Sequence, residues 1–278
     1  MKKGYDEIEI PDELSGMMDQ VRKRAGKRNA ARRKMAGTAM VFAAVLLTSN
    51  IPSVYGALLE VPVLGSVVQV FHVGTGGTAT DGTELKAMGN EESLNLYFQK
   101  RDSADQTEKT PAYKVERLEA PDRLVITVYG VRKFDPETWI REAEASSYVK
   151  TAYREMILDD SAVRLVLELQ PDTGFEVTEY EEPGGLQIRM FYNENQEREV
   201  WFLRSEKMDM TEGLALLAEQ LSHVNGTIAE TRDDKYIVSI GAFESREEAE
   251  KRLSDLTEQG ILDGSFTVDH CLSSERPE

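Results

Sequence analysis

Lys235–Gly260 reads KYIVSIGAFESREEAEKRLSDLTEQG, a strand that turns into a helix. Tyr236, Val238 and Ile240 alternate with Ile237 and Ser239, so the first three share one face of an extended segment. Ser245 with Glu248 makes a capping box for the helix, and Gly260 supplies its C-terminal stop. Ala249, Leu253 and Leu256 line one side, as a helix packed on a sheet requires. Upstream lie EVWFLRS (199–205), TEGLALLAEQLSHV (211–224) and GTIAET (226–231); downstream lies SFTVD (265–269). Strand, helix, strand, strand, helix, strand predicts a ferredoxin-like α+β domain over 199–270, with 271–278 as a solvated tail.

Tyr236-Ile-Val-Ser-Ile-Gly-Ala-Phe243, followed by Ser245-Arg-Glu-Glu-Ala249, resembles the SPOR domain. That resemblance implies binding to glycan strands stripped of their peptide stems. It points to the strand carrying Tyr236 and Ser239, although Ser239 stands where the family commonly has glutamine. Tyr236 and Trp201 are the aromatic candidates for stacking on a pyranose ring, with core packing as the competing fate of each.

Further upstream the pattern is that of strands. LNLYF (94–98), AYKVERL (112–118), RLVITVYG (123–130), AVRLVLEL (162–169), GFEVTEY (174–180) and LQIRMFY (186–192) are rich in β-branched and aromatic residues, with turn residues between them. An internal repeat runs at an offset of 62: Tyr113, Val115, Leu118, Pro121, Leu124, Ile126, Val128 and Tyr129 align with Phe175, Val177, Tyr180, Pro183, Leu186, Ile188, Met190 and Phe191. Each copy is a hairpin whose apolar face needs a second sheet, so a β-sandwich is expected over 92–193. Between the copies, 136–153 reads as a short helix or loop excursion. YKVERLEAPDRLVITVYG (113–130), with the second copy, is similar to the AMIN domain of cell-wall amidases and other envelope proteins. This likeness implies targeting to peptidoglycan, with Arg123 of the Pro-Asp-Arg-Leu-Val step as a glycan-binding candidate. The second copy has Pro-Gly-Gly-Leu-Gln there and loses the arginine.

Residues 60–91 are expected to form a membrane-proximal segment and a flexible linker, because 74–92 are rich in Gly and Thr without hydrophobic period. Before them, Met35–Leu59 runs for twenty-five residues without a charge, directly after the basic block Arg22–Lys34. About 20 apolar residues span a bilayer, and Lys/Arg stay on the cytoplasmic side. The expectation is a single transmembrane helix at 35–59, with the N-terminus cytoplasmic and the domains after it extracytoplasmic. The competing reading is a signal peptide cut after Tyr55-Gly56, before Ala57, and regulated cleavage at that place would reconcile the two. Within 1–34, Leu14, Met17, Met18 and Val21 form one apolar stripe on a helix too short to be stable alone, so it needs a partner protein or the membrane surface. Ile8–Phe71, and Val61–Phe71 most specifically, resembles the N-terminal region of bacterial membrane-bound anti-sigma factors of the lysozyme-sensing type. That likeness implies an extracytoplasmic-function sigma factor held by the cytoplasmic segment.

Charge separates the two ends of the chain. Residues 1–34 carry ten Lys/Arg and six Asp/Glu, against 23 and 44 in the remainder, for a net −17. An acidic body argues against nucleic acid as a partner. A single cysteine, Cys271, excludes an intrachain disulfide, and His270 beside it lacks the further ligands of a zinc site. Phosphate loop, nucleophile elbow and His-centred dyad are absent from the sequence, so neither enzyme activity nor a cofactor is expected. The leading expectation is therefore a single-pass envelope protein with peptidoglycan-binding modules, of anti-sigma type. The alternative is a structural wall-binding protein of division or sporulation without a sigma factor.

Overall fold

The computed structural model describes residues 66–194 and 197–278. The first body is two sheets packed face to face. One has six strands in the order β1 (Ser66–Phe71), β10 (Thr173–Glu181), β11 (Gly185–Tyr192), β4 (Ser93–Lys100), β3 (Thr83–Gly89) and β7 (Val131–Phe134). The other has five, in the order β2 (Gly74–Gly76), β5 (Tyr113–Leu118), β6 (Arg123–Tyr129), β9 (Ala162–Leu169) and β8 (Val149–Glu155). Alternation in each strand sends one set of side chains inward. Leu94, Leu96, Phe98, Val177 and Ile188 from the first sheet meet Val115, Leu124, Ile126, Leu165 and Leu167 from the second in one core.

The two repeat copies are the hairpins β5–β6 and β10–β11, one in each sheet. Their turns share a backbone: Ala120 and Glu182 both have φ 56°, each before a cis proline, Pro121 and Pro183. Each turn also docks through the amide before its proline. The amide of Ala120 donates to Ser273 O at 3.0 Å, and that of Glu182 to Glu108 O at 2.7 Å. Helix α1 (Pro136–Ala143) lies between the copies and buries Trp139 and Ala143. Asp135 caps it by accepting from the Thr138 amide, with Pro136 in the first turn, where its missing N–H costs nothing.

The expected fold class is corrected. The described residues are mainly β with three α-helices, and none of these helices is long and apolar enough to cross a membrane. The segment expected to do so, 35–59, lies outside the described residues, as do Leu14, Met17, Met18, Val21, Tyr55, Gly56 and Ala57. The linker expectation also falls for the described part of 60–91. That stretch holds β1, β2 and β3, and β3 is an interior strand whose Thr83, Glu84 and Leu85 are buried. Gly76, Gly77 and Gly89 there serve close packing rather than flexibility. At Gly77, with φ +75°, a Cβ would lie 2.1 Å from Pro111 O. The sandwich therefore begins well before residue 92.

Glu84 illustrates how β3 is held. Burial pushes its carboxyl up, but Lys86 and Lys133, the latter at 3.0 Å, outweigh burial and hold it below the usual value of 4.5. A carboxyl lowered by folding stabilises the native state above its unfolded pKa, and that contribution is lost as pH falls. Glu84→Gln is accordingly expected to flatten the fall in stability between about pH 5 and pH 3, measured as the urea midpoint against pH.

The second body is β12 (Glu199–Arg204), α2 (Glu212–Gln220), β13 (Gly226–Glu230), β14 (Tyr236–Phe243), α3 (Arg246–Glu258) and β15 (Thr267–Leu272). Its antiparallel sheet has the order β13-β14-β12-β15. Ser245 caps α3 by accepting from the Glu248 amide, and Gly260 closes its far end at φ +71°.

Candidate functional site

Both helices pack on one face of the C-terminal sheet. Leu203, Ile228, Val238 and Ile240 meet Leu214, Ala218, Ala249 and Leu256 there. The expectation that Tyr236, Val238 and Ile240 form a sugar-facing row is thus corrected, because alternation places them under the helices. Val238 and Ile240 are fully buried, and Tyr236, at the strand end, is half-buried. Its backbone exchanges two 2.8 Å bonds with Met208, while burial and the neighbouring Glu230 push its phenol up. Ser239 points to the opposite face and is also buried.

That opposite face is not open. Phe202, Ala229, Ile237 and Cys271 pack there against Ala120 of the sandwich. Arg123, opposite Glu168 in the β6–β9 register, reaches across. Its Nη1 donates to Glu119 O (3.2 Å) and Pro121 O (3.1 Å), and its Nη2 to Thr227 Oγ1 (3.4 Å) and Ile228 O (3.1 Å). Arg123 is 1% exposed, so as a glycan-binding candidate it is corrected: its guanidinium joins the two bodies, out of reach of a wall polymer. From the other side comes Arg276. Its Nε donates to both carboxylate oxygens of Glu168 (3.1 and 3.0 Å), and its Nη2 contacts Glu230 (3.0 Å). Burial opposes the Arg276 charge, but the two carboxylates outweigh it and hold the guanidinium above its usual pKa. The expected solvated tail is corrected with it: Pro277 is buried, and its carbonyl accepts from the Arg232 amide at 2.9 Å. Arg198 with Glu119, at 2.5 Å, closes the rim.

Three rings gather at one end of the sheet, His270 exposed and Trp201 and Phe243 half-buried against the helix-side core. Trp201 pairs in register with Phe243 on β14 and with His270 on β15, so three rings form a row across three strands. Trp201 and His270 stack at 4.4 Å with an interplanar angle of 17°, and Glu199 lies 3.3 Å from His270 Nε2. A bulge re-aims Phe243 into that row. Gly241, at φ +78°, makes this possible, since a Cβ there would meet the Phe243 ring at 2.5 Å. Phe243 and His270 were missed as partners of Trp201 because only the strand register brings them together. Cys271, next to His270, faces the other way; burial first, then Asp269 and Glu275, push its thiol up to about 12. Among the described residues no group of three or more His, Cys, Asp or Glu is placed to hold a metal ion.

Residues 215–267 match the SPOR domain family. SPOR is a peptidoglycan-binding, division-related domain and is not itself catalytic. The match begins inside α2 and ends at the start of β15, so it covers most of the second body and leaves Trp201 and His270 just outside. No curated protein and no solved structure matches the chain.

Proposed function

We propose that this chain is a wall-binding protein of the cell envelope, acting in a division-related process outside the cytoplasmic membrane. Its SPOR domain holds peptidoglycan glycan strands, and the sandwich to which that domain is joined fixes its orientation. The match at 215–267 is the observation that carries this reading. With both sheet faces covered, the Phe243–Trp201–His270 row at the end of the sheet is the surface that supports stacking of a sugar ring. The likeness of 92–193 to AMIN domains supports the same placement.

Wall binding has a direct measurement. The chain should sediment with purified sacculi, more strongly after amidase stripping, and Trp201→Ala with His270→Ala should weaken retention about tenfold, equivalent to ~1.4 kcal/mol. Loss of retention in neither variant would move the contact off this row. Failure of the unaltered chain to sediment with intact or stripped wall would overturn the reading itself.

The regulatory form of the proposal rests on the N-terminal sequence, where the stripe Leu14, Met17, Met18 and Val21 would hold an extracytoplasmic-function sigma factor. A pull-down with 1–34 should recover it. Recovery of none leaves the structural wall-binding form.

A further inference from the structure

Every sheet edge in the described residues but one is short or charged. Strand β7 carries Arg132 and Lys133, β8 carries Lys150 and Arg154, β13 ends in Glu230, β15 contains Asp269, and β2 is three residues long. Charges and brevity at an edge keep it from pairing with another chain. Strand β1 has neither protection. Its six residues, SVVQVF, are uncharged, and the uncharged run continues to Thr80. Among the described residues its only neighbour in the sheet is β10.

Among the described residues, four of the ten exposed large hydrophobics lie within this short stretch: Val67, Val68, Val70 and Val73, between 39% and 55% exposed. That concentration marks a contact surface rather than scattered apolar residues. Charge selects the occupant. On a molecule with a net −17, an uncharged edge is where two identical copies approach with least repulsion.

We propose that β1 pairs antiparallel with β1 of a second copy across a twofold axis. The strand is self-complementary about a twofold axis at Gln69: with Val68 bulged out of each copy, Val67 lies opposite Val70, Gln69 opposite Gln69, and Ser66 opposite Phe71. In the subunit, Val67 and Val70 lie on the outer face of the sheet, the side of Tyr180 and Thr178, their β10 partners. Phe71 and Gln69 lie on the inner side, with Phe71 stacked on Tyr113 and Gln69 bonded to Tyr113 and Glu179. The register therefore pairs outer valines with outer valines and inner residues with inner ones, and an isologous interface requires that match. The bulge between Val67 and Gln69 makes it work, because an unbroken alternation would put Val67 and Val70 on opposite faces. The two six-stranded sheets then run on as one.

Sedimentation velocity of the full chain tests this. The unaltered protein is expected as a dimer at tens of micromolar. Val67→Lys/Val70→Lys is expected to raise the dissociation constant at least tenfold while leaving the far-UV circular dichroism spectrum unchanged, since both side chains lie on the surface of the single subunit. Val68→Lys, at the bulge, serves as a second variant should the first fail to fold, with the same expected shift. A monomer at these concentrations overturns the proposal, as does a dimer that persists undiminished in a folded lysine variant.

Discussion

Arg276→Ala is expected to lower the stability of the chain by about 3–5 kcal/mol, the cost of leaving buried charge without its partner. Glu168 is fully buried, and both its oxygens take their charge-assisted bonds from Arg276. Glu230 loses its counter-ion in the same step. Urea unfolding measures the loss, and its pH dependence separates charge from packing. Burial already pushes the Glu230 carboxyl above its usual value, with Arg276 opposing. A carboxyl raised by folding favours the native state at low pH and loses that contribution as pH rises through its folded pKa. Removing Arg276 raises it further, so the penalty should shrink between about pH 8 and pH 5. A penalty independent of pH would mean that the side chain acts by filling space.

Arg123→Ala should cost about 2–4 kcal/mol, because three backbone carbonyls lose a buried donor and a large side chain leaves a void. The direction of the bonds matters more than the charge. Two nitrogens of one planar group serve the turn at Glu119 and Pro121 on one side and β13 on the other. A lysine has one point of attachment and cannot span both, so Arg123→Lys should recover less than half of the loss. Arg123 and the Arg276 partner Glu168 face each other across β6 and β9, so the two alanine variants should combine non-additively. Equal and additive losses would separate the two contacts.

How much was legible follows from the range over which each feature is determined. The strands and helices of 199–272 were readable because alternation, the Ser245 cap and the Gly260 stop are local signals, each within a few residues of its effect. The repeat was readable for the same reason: its two turns carry proline at matching places, and the structure gives both turns the same φ. Burial of a strand's second face is not local. Arg123 on a strand reads as a residue pointing to solvent, and only chain more than a hundred residues away covers it. Glycine and threonine content suggested a linker at 74–92, yet Gly77 (φ +75°) and Gly89 are glycines because backbone carbonyls stand where a Cβ would be. Trp201 was chosen for its ring alone. The register that adds Phe243 and His270, and the bulge that turns Phe243, come from pairings between separate strands. The apolar segment 35–59 was the clearest compositional feature of the chain, and it lies outside the described residues.

The join at Arg123 and Glu168 also determines how the protein would bear tension. If the SPOR domain holds a wall polymer as proposed, a pull on it reaches β11 along the chain and, through this join, β6 and β9, the inner strands of the five-stranded sheet. Each is flanked on both sides by hydrogen-bonded neighbours, so the pull is shared by several ladders at once instead of peeling one strand from an edge. Under the proposed wall binding, tension would therefore enter the middle of a sheet rather than an edge strand.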